Sequence, residues 1–207
     1  MFHKLLLLVL PVFIFASGYT EPKSFTHAIK IFKQIDMDYK RTAFSLKEYE
    51  YDPATCMRKR YLKEDPTKAV IFTRIVPQTL MAEGLACYKE DICTDMMGKK
   101  YHGKRCCRKR DKTYKAYEKD MFNIMSIEKD NAYLQINPPE HYRGNIARVI
   151  LYMHQVYKLA LSEDIRMKYE KWDKQDAVDE KECNIYKTIF KIQHKANPWL
   201  QKACTKY

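Results

Sequence analysis

Seven cysteines, Cys56, Cys87, Cys93, Cys106, Cys107, Cys183 and Cys204, constrain this chain more than any other feature. Their chemistry is set by the first residues. Met1 to Lys4 make a short positive start, Leu5 to Ala16 are almost continuously apolar, and Ala16-Ser17-Gly18 supplies small residues of the type a signal peptidase reads. The pattern predicts a signal peptide over residues 1–18 and a single exported domain over 19–207. The apolar run is too short for a bilayer core of about 30 Å, which takes roughly 20 apolar residues, and Pro11 interrupts it. No later segment is long and apolar enough to span, so the mature chain is expected to lack a transmembrane segment. In an oxidising compartment seven scattered cysteines predict up to three disulfides and one thiol left over. Zinc binding, the rival use, needs clustered spacing, and only Cys106 and Cys107 are adjacent.

The net charge of +12 at pH 7 points to a polyanionic partner: nucleic acid, anionic lipid headgroups or acidic glycans. The densest positive stretch is Lys99 to Lys112 (KKYHGKRCCRKRDK). It has no apolar period and carries glycine and the adjacent cysteines, which predicts an exposed loop stapled by at least one bridge. Lys99, Lys100, Lys104, Arg105, Arg108, Lys109, Arg110 and Lys112 surround Tyr101 and His102, whose rings can stack on bases. A solvated loop with no ligand is the bland reading of the same run.

Elsewhere the period of the apolar residues places the elements. Ser24 to Lys40 predicts a helix with a stripe of Phe25, Ala28, Ile29, Ile31, Phe32 and Ile35 and with Ser24 as N-cap. Ala43 to Tyr51 and Ala69 to Val76 read as strands, separated by turns at Asp52-Pro53 and Asp65-Pro66. From Tyr142 onward Ile146, Ala147, Val149, Ile150, Met153, Val156 and Tyr157 mark a helix buried on one broad face. Ser162, followed by Glu163 and Asp164, and then Asp179, read as N-caps of two more helices, reaching about Lys174 and Lys195. Trp172 and Trp199 read as core anchors, and Gly144 as a point of close packing or a turn at the helix entrance.

The last third of the chain also carries a resemblance. Arg143-Gly144-Asn145-Ile146-Ala147-Arg148 with Leu151-Tyr152-Met153 is followed by Leu161-Ser162, Trp172-Asp173-Lys174, Val178 and Glu182-Cys183. Ile189, Lys191, Ile192 and Gln193 come next, then Asn197-Pro198-Trp199-Leu200-Gln201-Lys202-Ala203-Cys204. Order and spacing over this stretch resemble the bacterial endonuclease I family, and fragments extend the likeness back to Ser24 through Val76-Pro77 and Asp120-Met121-Asn123. The resemblance implies an α+β fold: a single helix-rich mixed domain with a ββα-metal-like core. It also makes Cys183 and Cys204 bridge candidates.

The resemblance further implies a site. Family members cut DNA, and often RNA, with one divalent ion. A Glu-His pair just before Val-Val-Pro supplies a metal ligand and the base that activates water, and the Asn of an Asp-Met-His-Asn-Leu motif is the second ligand. Aligned on Val76-Pro77, Thr73 stands at the Glu position and Arg74 at the His position, while Asp120-Met121-Phe122-Asn123-Ile124 keeps Asn123 and replaces its neighbouring His by Phe122. A threonine hydroxyl is a poor ligand for a hard dication. Arginine keeps its proton near neutrality and cannot serve as the base, a loss worth roughly 10²- to 10⁴-fold in rate. His102 and His141 lie in no matching motif, and His154 and His194 read as surface or cap residues.

The expectation is therefore an exported nucleic-acid-binding protein with impaired catalysis, monomeric, periplasmic or secreted, and without a resident cofactor. Its phosphate contacts to DNA or RNA are assigned to Arg74, Lys104, Arg105, Arg108, Lys109, Arg110, Arg143 and Arg148, with Asn123 a vestigial metal ligand. Arg148 has a second open reading as a structural ion-pair partner. An active, divergent Mg²⁺-dependent endonuclease and a secreted polyanion-binding interaction protein are the two rival functions.

Overall fold

A computed structural model describes residues 20–36, 40–43, 46–52, 54, 59–130 and 137–206. The signal peptide expected over 1–18, and Cys56, lie outside the described residues. The first helix, α1 (Phe25–Asp36), begins as the sequence predicts: the Ser24 hydroxyl accepts from the His27 N–H at 3.2 Å, which satisfies one of the helix's free donors. The strand expected over Ala43 to Tyr51 is confined to β1 (Tyr49–Tyr51), paired antiparallel with β2 (Arg60–Leu62). Ahead of it Ala43 instead donates its N–H to the Ser126 carbonyl. The third strand, β3 (Val70–Arg74), is followed by two short helices, α2 (Gln78–Ala82) and α3 (Ala86–Lys89). A small hairpin of β4 (Cys93–Thr94) and β5 (Lys100–Tyr101) then leads into α4 (Lys104–Arg110) and α5 (Lys112–Glu118).

The basic stretch is thus a helix and not a loop. The reason it escapes a periodicity reading is chemical: the buried side chains of α4 are Cys106 and Cys107 alone. Successive helical residues point about 100° apart, so the adjacent sulfurs reach different elements. Cys107 bonds Cys87 of α3, and Cys106 bonds Cys93 of β4. Sulfur takes the place of an apolar stripe, and every other side chain of the helix is left to charge.

A single 3₁₀ turn, Met121–Asn123, brings the chain back along β3 as β6 (Ile124–Glu128), with register Val70↔Glu128 to Arg74↔Ile124. Every residue of β6 is buried. The long helices follow: α6 (Arg143–Tyr157), α7 (Glu163–Gln175), α8 (Glu180–Gln193) and the short α9 (Pro198–Gln201). Burial on α6 exceeds the single face expected, since Ile146 through Met153 are all buried. Gly144 permits the crossing with the end of α7: a Cβ there would lie 2.5 Å from the Asp176 carbonyl oxygen. Asp179 caps α8 by accepting from the Glu182 N–H, whereas Ser162 precedes α7 without a side-chain cap bond. The third bridge, Cys183–Cys204, ties α8 to the C-terminal turn. Among the described residues no helix is long and apolar enough to cross a membrane.

Asp120 holds these halves together. Its side chain caps the 3₁₀ turn through the Phe122 N–H, takes the Tyr152 and Tyr157 hydroxyls at 2.6 Å each, and accepts from Gln193 of α8 at 3.1 Å. Three helical elements converge on one buried carboxylate.

Candidate nucleic-acid interface

The strand pair ends where the sequence places the degenerate motif. Arg74 is the last rung of β3, opposite Ile124. Its guanidinium lies on the Phe25 ring at 3.2 Å and donates from Nη2 to the Glu118 carbonyl at 3.2 Å, while Nε is buried without a partner. Burial lowers its pKa from the usual arginine value, with nearby carboxylate charge opposing that shift, but a guanidinium stays protonated throughout the working range. Thr73, Arg74, Gln78, Thr79 and Lys104 open onto a cleft of about 220 Å³ floored by Phe25 and Phe72. Two cations thus share one small cleft.

The groups that could hold a dication there are committed elsewhere. Asn123 is 1% exposed, and its amide closes both hydrogen bonds of the Val76 backbone: Oδ1 accepts from N–H at 2.7 Å and Nδ2 donates to C=O at 3.0 Å. The β3–β6 ladder stops one residue before Ile75, so the Val76 N–H would otherwise be buried and unpaired, a costly arrangement, while its carbonyl also accepts from the Tyr117 hydroxyl. Asn123 supplies the missing rung. As it stands the side chain is a clamp and not an open ligand. Glu118, the carboxylate beside Arg74, accepts at Oε2 from Arg108 Nε at 2.7 Å and at Oε1 from Gln78 Nε2. Phe122 is 5% exposed, stacked on Tyr186 and edge-on to Tyr152. His102 pairs with Asp91 at 2.8 Å, and His141 lines a separate cavity with Tyr142 and Tyr186. Among the described residues no three His, Cys, Asp or Glu side chains are placed to share a metal ion.

Besides Arg74, the residues expected from the sequence to contact phosphate divide into three groups. Lys104, Arg105, Lys109 and Arg110 are exposed along α4, and Arg108 is exposed while paired with Glu118. A second depression of about 560 Å³ gathers Arg105, Arg108, Lys109 and Lys115 around Tyr101, with the Arg105 guanidinium 5.0 Å from that ring. Arg143 is only partly exposed, held against Trp172 at 5.5 Å, by the Pro138 carbonyl and by Glu140, and it lines neither depression. Arg148 leaves the set altogether. It is fully buried, bidentate to Glu182 at 2.8 and 2.6 Å and bonded to Asp173 at 3.1 Å, so the ion-pair alternative is the one the fold uses. Position decides this: Arg148 lies on the face of α6 that packs on α7 and α8, where no phosphate can reach.

Sequence reasoning missed Gln78, Thr79, Lys115 and Glu118. Lys115 could have been found, since it follows Lys112 by one helical turn in α5. The other three owe their place to the crossing of α2 and α5 beside β3, for which the sequence carries no signal.

The antiparallel pair, the clamped turn and the stapled cationic helix together make one mixed α+β domain. A family profile described as Endonuclease I matches residues 96–204, and the chain belongs to that family. It is 44% identical over 71 residues to an extracellular deoxyribonuclease of Aeromonas hydrophila, covering 34% of this chain and 31% of the relative. It is 33% identical over 140 residues to an endonuclease-1 of Buchnera aphidicola, covering 51% and 56% respectively. A periplasmic deoxyribonuclease of Aeromonas hydrophila is 39% identical over 71 residues, or 34% of this chain and 30% of the relative. The chain therefore spans between about a third and about half the length of these relatives.

Proposed function

We propose that this protein is an exported, monomeric member of the endonuclease I family that binds the phosphate backbone of nucleic acid and hydrolyses it poorly or not at all. The observation that carries the reading is the chemistry at the end of β3. Thr73 and Arg74 stand where the family resemblance calls for a carboxylate and an imidazole, and both candidate oxygen donors nearby, Asn123 and Glu118, are already bonded. Such a donor set does not fit a hard dication, which takes six or more oxygen ligands including carboxylates or water. Without an ion or a base, no step of hydrolysis is assigned to these residues.

Binding needs neither. Arg74 and Lys104 in one cleft, and Arg105, Lys109 and Lys115 in the next, offer point and forked donors to successive phosphates. The relatives named as deoxyribonucleases favour DNA as the polymer, and the extracellular and periplasmic names, with three disulfides, support export after removal of residues 1–18.

The test incubates the oxidised protein with plasmid DNA and Mg²⁺ or Mn²⁺, with and without chelator, alongside a mobility-shift titration at several salt concentrations. Salt-dependent binding without chelator-sensitive cleavage is the expected result. Chelator-sensitive cleavage accompanied by calorimetric binding of Mn²⁺ alone would overturn the reading. The calorimetry is needed because Asn123→Ala also removes the Val76 clamp, so lost cleavage in that variant would not identify a ligand.

A further inference from the structure

The hairpin that precedes α4 ends in two methionines that the reading above does not use. Met96 and Met97 are 104% and 93% exposed, whereas the next most exposed large apolar side chain among the described residues, Met167, is at 50%. Such exposure on a loose loop would mean little. Here the turn is built. The Asp95 carboxylate accepts from the Met97 and Lys99 N–H groups at 2.9 Å each, the Asp95 N–H donates to the Lys99 carbonyl, and the Gly98 N–H returns to the Asp95 carbonyl. Gly98 sits at φ +82°, a conformation that a side chain would strain. The bridge Cys93–Cys106 then fixes the base of this hairpin to α4 itself.

We propose that Met96 and Met97 form an apolar wedge that enters a base step of a nucleic acid lying along α4; this rests on the phosphate-binding reading of that helix. Met96 lines the same depression as Arg105, Lys109 and Lys115, so a backbone held by those cations passes beside the tip. Methionine suits the task, being unbranched, flexible and polarisable. Apolar side chains of this size unstack base steps in proteins that kink duplexes. The charge around the tip also selects among polyanions. Glu90 and Asp91 are exposed next to Ile92, and Asp95 lies at the base of the turn. A flat anionic bilayer would meet those carboxylates together with the methionines, whereas a polymer in the depression meets only Asp95 of the three, its carboxylate already accepting from the Met97 and Lys99 N–H groups, beside the cations Arg105, Arg108, Lys109 and Lys115.

The experiment uses the disulfide-bonded protein in chelator, an end-labelled 20-base-pair DNA duplex read by anisotropy, and duplexes carrying 2-aminopurine at successive positions. The protein is expected to raise 2-aminopurine fluorescence on binding, as unstacking does. Met96→Ala/Met97→Ala is expected to abolish that rise and to weaken binding roughly 10-fold, the surplus of apolar burial over unstacking, with an unchanged salt slope because no phosphate contact is lost. Met96→Leu/Met97→Leu should restore both. Wild-type affinity and fluorescence in the alanine variant would overturn the wedge and leave the cationic face standing. So would methionine-dependent binding to vesicles of three parts phosphatidylcholine to one part phosphatidylglycerol with DNA binding unaltered. Failure of every variant, wild type included, to bind DNA would overturn the cationic face and the wedge with it.

Discussion

Removing the two bridges of α4 should dissolve the cationic face while leaving the rest of the domain folded. The helix has seven residues, below the roughly 12–15 that an isolated helix needs in water. Its like-charged pairs one turn apart, Lys104 with Arg108 and Arg105 with Lys109, each oppose helix formation by about 0.2–0.5 kcal/mol. Against this stand the covalent ties. Cys93–Cys106 closes a loop of sequence separation 13, which by loop-closure entropy contributes about 3 kcal/mol. Once it is closed, Cys87–Cys107 closes only the residual segment between Cys87 and Cys93, adding about 2 kcal/mol. A sum of about 5 kcal/mol is comparable to the whole stability of a small domain, yet it acts on one local unit.

The perturbation is Cys87→Ala/Cys93→Ala/Cys106→Ala/Cys107→Ala, which buries no new hydroxyl and spares Cys183–Cys204. Hydrogen exchange by mass spectrometry should show residues 104–110 unprotected, with β6 and α6 protected as before. In a DNA titration, losing the ordered contacts of Lys104, Arg105, Lys109 and Arg110 should flatten the logarithmic salt slope by about 3 to 4, at roughly 0.9 per phosphate. Retained protection over 104–110 together with an unchanged slope would refute the argument that sulfur holds this helix.

Two further outcomes separate structural from binding arginines and test the buried phenols. Arg148→Ala leaves Glu182 and Asp173 without their cation and should cost about 3–5 kcal/mol in thermal or urea denaturation, whereas Arg105→Ala/Lys109→Ala should stay within about 0.5 kcal/mol and flatten the salt slope by about 2. Alkali should unfold the protein in step with tyrosine ionisation, read as absorbance at 295 nm against circular dichroism. Burial pushes Tyr114 up to about 12, and burial with the Asp120 charge likewise raises Tyr152 and Tyr157. These phenols stay neutral in the fold while the unfolded chain ionises near pH 10, so their contribution is complete below that pH and falls as pH rises above it, that of Tyr114 being lost through about 12. Tyr114 alone accounts for about 3 kcal/mol, and ionisation near pH 10 with full native structure would contradict this.

The helices after Tyr142 were legible because their information is local. A 3.6-residue period and an acidic cap at Asp179 suffice to place α8, and Ser24 does the same for α1. The helix α4 was not legible, because the usual signal is apolar carbon at helical spacing and this helix buries only two sulfurs whose partners lie 13 and 20 residues earlier. At the candidate site the residues Thr73, Arg74, Phe122 and Asn123 were found from motif order, and the cations of α4 from charge. Their roles were harder. An Asn in a ligand motif and one that completes a strand rung are the same letter. Only the placement of Val76, 47 residues away, tells them apart. Arg148 has the same ambiguity, settled by which face of α6 the partner helices cover.

Asp120 carries a consequence for how this sequence can vary. Its four hydrogen-bond partners lie as near as Phe122 and as far as Gln193, 73 residues along the chain from Asp120, so distant positions answer to one oxygen pair. Replacing Tyr157 alone would take one phenol from that carboxylate and the hydroxyl that the Lys195 ammonium reaches at 2.6 Å, leaving Lys195 its longer ion pair with Asp120 at 3.9 Å. Changes at these places should therefore be accepted jointly or not at all. The signature segment of the last third and the turn beneath the cleft are thereby bound to a shared mutational fate.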